Sequence, residues 1–252
     1  MENNQGKEKK TTVRAVERSL DILSSFINER ELSLTEISKR TKLNKSTVFR
    51  LLNTLEQKGF LIKDPDTEKY RLGFKIWELS TNLAGMDDPA TLFLPEMNSL
   101  RDTLDETISL YVRDGSERIR IQSVESNQAI RRVAPVGVRM PLSVGASSKI
   151  LIAFEPPSVR EDILEQLEKK YQINIDEFRK ITDEVHRKGY ATSFEEREIG
   201  AVAISCPVFS RSGQLLVALS VSGPVNRLTP QKLEEIVPLA IESAKKMGKL
   251  LK

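Results

Sequence analysis

SLTEISKRTKLNKSTVFRLLNTLEQKGFLIKDPDTEKYRLG, residues Ser33 to Gly73, decides how the first third of the chain folds. From Asn44 onward Val48, Leu51, Leu52 and Leu55 recur at i, i+3, i+4 and i+7, the spacing of one buried helix face. The opposite face carries Ser46, Arg50, Asn53 and Gln57, hydrogen-bonding side chains of which one is charged, a stripe suited to reading base edges. A shorter apolar-periodic segment precedes it and opens on Ser33, with Glu36 at capping-box spacing. Asn44 is placed to N-cap the second segment after a break of a few residues, so the pair predicts a helix-turn-helix. Gly59 stops the second helix. Phe60 to Lys63 and Lys69 to Leu72 then flank the turn-forming Asp64-Pro65-Asp66-Thr67, which predicts a β-wing. Its Tyr70 and Leu72 should pack on the helices while Lys69 and Arg71 reach phosphates.

Upstream, Val16, Leu20, Leu23 and Ile27 recur at helical spacing and predict a first helix that completes a three-helix core. Residues 13–73 thus form one small winged domain, preceded by a polar tail, residues 1–12, expected to be disordered. Residues 74–88 read as a linker helix, with Phe74 and Trp77 on it and a break at Met86-Asp87-Asp88-Pro89. The 252 residues carry a net charge of +3, with 39% hydrophobic and 30% charged side chains, values of a soluble globular chain. Lys and Arg outnumber Asp and Glu by 16 to 12 over residues 1–85, whereas the remainder has 23 against 24. The basic excess therefore sits with the helix-turn-helix, in an amount that suits directed phosphate contacts.

No apolar stretch approaches the ~20 residues of a spanning helix, and the N-terminus lacks a signal-like apolar core, so no membrane partner and a cytoplasmic location are expected. With one cysteine, Cys206, and one histidine, His186, a Cys/His metal site is excluded, and no cofactor is expected.

Residues 89–252 change character. A helical period at Leu94, Met97, Leu100 and Leu104 gives way to a hairpin around Asp114-Gly115. A helix from Ala146 to Phe154 and two amphipathic helices, about 158–171 and 175–188, come next. A second hairpin turns at Ser210-Arg211-Ser212-Gly213, and a last helix starts with Thr229 as N-cap and Pro230 at N1. This order predicts an α+β domain on an antiparallel sheet of about four to six strands.

Lys45-Ser46-Thr47-Val48-Phe49-Arg50-Leu51-Leu52, Gly59-Phe60 and Tyr70-Arg71-Leu72-Gly73 resemble the winged-helix signature of the IclR family of bacterial transcriptional regulators. Gly189 to Glu196, Gly200, Ala203-Ile204-Ser205 and Leu219 to Pro224 are similar to that family's effector-domain signature, with Ser210 where Asp or Asn is usual. The resemblance implies a GAF-like effector-binding domain and a ligand-responsive repressor that binds an operator in double-stranded DNA as a homodimer, or a homotetramer. Carried over by position, it places a small-molecule effector, a carboxylate or aromatic compound, on Ala146, Ser147 and Ser148, with Ser193, Ala201 and Ala203 on one wall, Ser220 and Ser222 on another and Met140 as cover. Ser193 and Ala203 stand where glyoxylate- and pyruvate-sensing members carry Asp and Cys, which implies a larger or more apolar ligand. The DNA-binding set is Thr35, Lys45, Ser46, Thr47, Arg50, Asn53, Lys69 and Arg71. Glu195-Glu196-Arg197-Glu198 reads as a solvated helix start. Two alternatives are a DNA-binding scaffold whose second domain only oligomerises, and a hydrolase using Cys206 with His186 as base; a reactive nucleophile is not expected in so apolar a strand.

Overall fold

The computed structural model describes residues 12–81, 88–133 and 135–251 and divides into two compact units, Met1–Gly85 and Met86–Lys252. Most of the expected disordered tail and residues 82–87 of the expected linker helix lie outside the described residues.

The first unit contains helices α1 (Arg14–Ser24), α2 (Leu34–Thr41) and α3 (Lys45–Gln57), strands β1 (Leu61–Lys63) and β2 (Tyr70–Leu72), and helix α4 (Phe74–Ser80). The capping box forms: Ser33 N–H donates to Glu36 Oε2 at 2.8 Å and Glu36 N–H to Ser33 Oγ at 3.3 Å. Asn44 occupies the N-cap of α3 without making a side-chain cap bond. Val48, Leu52 and Leu55 are buried as the period requires. Leu32 bridges to Tyr70 beside the antiparallel β1–β2 pair, an extra contact that brings the wing under the helices.

Two expectations fail in this unit. Val16 and Leu20 on α1 and Ile27 just beyond it are 54%, 57% and 55% exposed, and Ile22 on α1 and Phe26 after it are buried instead. The segment is apolar on two sides, and periodicity alone does not say which side faces α2 and α3. Leu72 is 40% exposed, so of the wing's apolar pair only Tyr70 enters the core.

The second unit opens with α5 (Pro89–Leu92) and α6 (Leu94–Leu104), where Pro95 sits in the first turn. Strands β3 (Thr107–Asp114), β4 (Glu117–Val124), β5 (Arg139–Pro141), β6 (Ala191–Phe194), β7 (Ala201–Phe209) and β8 (Leu215–Pro224) form one antiparallel sheet in the order β5-β4-β3-β8-β7-β6. Helices α7 (Ala146–Ala153), α8 (Pro157–Tyr171) and α9 (Ile175–Lys188) lie between β5 and β6 in sequence, and α10 (Pro230–Leu250) closes the chain. The α+β, GAF-like class expected for this region is thus realised with six strands.

Strand periodicity assigns the two faces. Val202, Ile204, Cys206 and Val208 on β7 and Val217, Leu219 and Val221 on β8 join α6 and α10 in one core. The alternate positions face α7, α8 and α9, where Tyr111, Met140, Ala191 and Ala218 join a second core. Toward one end of that second face the side chains become small. Ser193 pairs with Ala203, Ala203 with Ser222 and Ser205 with Ser220, so three neighbouring strands carry no bulky group there. The depression this leaves is the first feature of the site.

Candidate functional site

Helix α7 begins over that depression. Gly145 holds φ at +99°, a conformation glycine reaches at little cost, and turns the chain into the helix without a side-chain cap. Its own N–H donates to Glu196 Oε2 at 3.0 Å, and Lys149 Nζ pairs with Glu196 Oε1 at 2.5 Å and donates to Thr192 O at 2.8 Å. These contacts bind the loop after β6 to the start of α7. Between them and the sheet lies a pocket of about 60 Å³.

Seven of the nine residues assigned by resemblance line this pocket: Ala146 and Ser147 from α7, Ser193, Ala201 and Ala203 from β6 and β7, and Ser220 and Ser222 from β8. The other two stand behind it. Ser148 is buried and its hydroxyl is bonded to Val144 O at 2.9 Å. The Met140 thioether lies among the guanidinium groups of Arg118 and Arg197.

Sequence reasoning missed the charged part of the lining: Arg118 and Arg120 from β4, Arg132 from the following loop, and Arg197 and Glu198 from the loop after β6. Arg118 is 3% exposed; its Nη1 donates to Pro141 O at 2.5 Å, to Val144 O at 2.8 Å and to Ser148 Oγ, while its Nε has no partner. Burial pulls its pKa down to about 10, with Arg197 and Arg120 pushing the same way, so it remains a cation at neutral pH. Arg120 donates through Nε and Nη2 to the Tyr111 hydroxyl and through Nη1 to Pro135 O. Arg132 pairs with Glu198. Arg197 is also lowered, first by burial and then by Arg132.

Period-two alternation on β4 could have flagged Arg118 and Arg120, because two arginines two residues apart share one sheet face. The charged run at 195–198 is not a helix start. It is a loop that caps α7 through Glu196 and supplies two side chains to the pocket. A more apolar ligand, inferred from Ser193 and Ala203, does not fit a lining with four guanidinium groups.

In the first unit Lys45, Ser46 and Arg50 are exposed along α3, with Thr47 and Asn53 half-buried and Thr35 exposed at the start of α2. Arg71 is exposed on the wing, whereas Lys69 is held by Glu31 at 2.5 Å. A groove of about 300 Å³ between α1 and α3 places Arg18, which the sequence reading did not single out, alongside Thr47 and Arg50.

Residues 15–65 match the model of the IclR helix-turn-helix domain, and residues 86–249 match that of the bacterial transcriptional regulator IclR C-terminal domain. The chain belongs to the IclR family. It is 31% identical over 242 residues to the HTH-type transcriptional regulator KdgR of Escherichia coli (strain K12), covering 94% of this chain and 92% of that protein. The crystal structure of an IclR transcriptional regulator from Alicyclobacillus acidocaldarius superposes with a TM-score of 0.78 at 26% identity, covering 96% of this chain and all of that one. An IclR homologue from Microbacterium hydrocarbonoxydans, crystallised with 4-hydroxybenzoate, shares the fold with a TM-score of 0.77 at 23% identity, over 93% of this chain and 98% of that one. This IclR-family chain is accordingly a DNA-binding transcriptional regulator.

Neither residue of the alternative catalytic pair supports a nucleophile. Cys206 is fully buried, and burial pushes its thiol up to about 12. His186 stacks on Phe154, with ring centroids 5.0 Å apart. Among the described residues no cluster of His, Cys, Asp or Glu has metal-binding geometry, and no helix is long and apolar enough to cross a membrane.

Proposed function

We propose that this regulator is a cytoplasmic, non-catalytic repressor whose operator affinity falls when a small anion occupies the pocket between α7 and the sheet. Residues 13–73 act as the DNA-binding domain, residues 74–88 as linker and residues 89–252 as effector-binding domain. The observation that carries the effector assignment is Arg118, a buried cation whose partners are all neutral. Such a charge is costly unless something pairs with it, and a carboxylate is the natural partner for a guanidinium fork. Ser147, Ser193 and Ser222 add hydroxyls that can donate to the same group, whereas the Ser220 hydroxyl donates to Ile204 O at 3.1 Å. The carboxylate of 4-hydroxybenzoate in the Microbacterium homologue is of the same chemical class.

In the DNA-binding domain Lys45, Ser46, Thr47, Arg50 and Asn53 face the major groove, with Arg50 bidentate to a guanine, and Thr35 and Arg71 meet the backbone. Lys69 joins them once it leaves Glu31. One small winged helix gives limited specificity, and a homodimer reading two half-sites multiplies it. Exposed Val13 at the N-cap of α1, Val16 and Leu20 on α1, and Phe74 and Trp77 on α4 support self-association of this unit. A homotetramer would pair two such dimers.

The test is a thermal-shift screen of organic acids on the full-length protein, followed by operator binding with each compound that stabilises it. A ligand at 100 times its dissociation constant adds ~2.7 kcal/mol to the folded state. The expected result is one acid that raises the melting temperature and weakens operator binding. If specific DNA binding is present and no acid affects either quantity, the domain is an oligomerisation scaffold.

A further inference from the structure

The pocket holds more positive charge than one carboxylate can neutralise. Four guanidinium groups line it against the single carboxylate of Glu198, an excess of three. Among the described residues only Arg132 has an anionic partner there, Glu198. Arg118 contacts carbonyl and hydroxyl oxygens, Arg120 the Tyr111 hydroxyl and Pro135 O, and Arg197 the Met140 thioether. All three cations therefore have neutral partners only, and the Arg118 Nε, buried at the pocket wall, has none.

The cations are also divided between two ends. Arg118 and Arg120 line only the inner pocket, and a Cβ built on Gly145, which opens α7, would lie 3.0 Å from Arg118 Nη2. Arg132 and Arg197 line both that pocket and an outer cavity of about 410 Å³ that continues from it along Gly200, Ala201 and Gly223. Ala146, Ala203, Ser220 and Ser222 line the inner pocket with short side chains, and Ala201 borders both spaces. A short carbon chain with a negative group at each end matches this distribution. A neutral body would leave Arg118, Arg120 and Arg197 with no anionic partner.

We infer that the effector carries two anionic groups, one seated by Arg118, Arg120 and the first turn of α7, the other by Arg132 and Arg197 at the mouth, where it takes the place of Glu198. This rests on the effector reading of the pocket and narrows it to a small dicarboxylate or phosphorylated carboxylate.

The experiment is calorimetric titration of the full-length protein at constant ionic strength with three probes: butyrate, succinate, which is butyrate with its methyl group replaced by a carboxylate, and phosphoglycolate. The expected result is that succinate or phosphoglycolate binds at least about tenfold tighter than butyrate, and the tighter of the two identifies the outer anion as carboxylate or phosphate. Arg197→Gln, a change at a partly exposed side chain, should narrow that ratio to about twofold or less, and Arg118→Met should remove binding of all three probes. If butyrate binds as tightly as both dianions and Arg118→Met removes it, the second anionic group is refuted while the effector pocket stands. If no probe binds at millimolar concentration, or binding survives Arg118→Met, the inference is overturned. The operator response to the organic-acid screen then decides separately whether the effector reading falls with it.

Discussion

The guanidinium of Arg118 lies directly against Gly145, so close that a Cβ there would meet its Nη2 at 3.0 Å. A buried cation is in this way fixed beside the start of α7, whose first N–H is taken by the Glu196 carboxylate at 3.0 Å while Arg118 itself hydrogen-bonds only to neutral acceptors. A buried guanidinium without an ion pair is a cost, and the proposed anion would relieve it. Replacing Arg118 with Met therefore separates stability from sensing. The Ser148 hydroxyl, 2.9 Å from Val144 O and 3.3 Å from Pro141 O, still donates to one of the two, so only one carbonyl loses its donor. The unliganded variant should stay within about 1 kcal/mol of wild type or gain stability, with loss of the ligand-induced rise in melting temperature. Urea unfolding with and without ligand measures both; a drop of several kcal/mol without ligand would show that Arg118 is a structural strut.

Much of the fold was legible because period and punctuation agreed. The capping box at Ser33 and Glu36, the stop at Gly59, the turn at Asp114-Gly115 and the cap at Thr229 are local devices, and each stands where its residues put it. What was not legible depends on contacts distant in sequence. Arg118 and Arg197 are 79 positions apart, and only the order β4-β3-β8-β7-β6 brings their elements to one pocket. The small-residue wall was expected from family resemblance alone, and alternation on β7 and β8 brings Ala201, Ala203, Ser220 and Ser222 to one pocket. The buried side of α1 was misread because both of its sides are apolar.

On α3, Arg50 points outward with no hydrogen-bonded or ionic partner among the described residues, the state expected of a side chain reserved for a base. Arg50→Ala should weaken operator binding by ~1–3 kcal/mol and relax the preference for operator over random DNA. Fluorescence anisotropy with both duplexes measures this. Equal losses on the two would move Arg50 to the phosphate backbone.

Lys69 behaves differently because Glu31 holds it at 2.5 Å. Both side chains are 40% or more exposed, so the pair contributes little to stability. Glu31→Gln should free the ammonium and tighten binding to operator and random DNA alike, steepening the salt dependence by about one counterion. An unchanged salt slope would place Lys69 away from the phosphates.

Gly73 marks where the wing returns to the helix-turn-helix. Its N–H donates to Phe60 O at 2.8 Å, and a Cβ on it would fall 2.2 Å from Gly59 O. The three nearest atoms, Gly59 O, Gly59 C and Phe60 C, are all backbone and leave no flexible group to give way. Gly73→Ala should therefore cost about 1–3 kcal/mol, the usual penalty for overpacking, and lower DNA affinity through a displaced wing. Unfolding and operator titration of the same preparation test it, and normal values for both would mean that β2 shifts without consequence.

Cys206 gives the molecule a defined alkaline weakness. Its thiol is held up to about 12 in the folded protein against an ordinary value of 9.0, solely by burial in the sheet core. The folded pKa is the higher one, so the stabilisation is complete below pH 9 and is lost as the unfolded thiol ionises between pH 9 and 12. Across that window stability should fall by roughly 1.4 kcal/mol per pH unit more than in Cys206→Val, because the native thiol stays protonated while the unfolded one does not. Urea unfolding of both proteins at pH 8 and pH 10 isolates the difference from the lysines they share. The same burial makes the native thiol inert, so a disulfide reagent at pH 8 should modify Cys206 only as fast as the second unit opens. Rapid labelling of the folded protein, with parallel pH curves for the two variants, would put the thiol at the surface and return it to consideration as a reactive group.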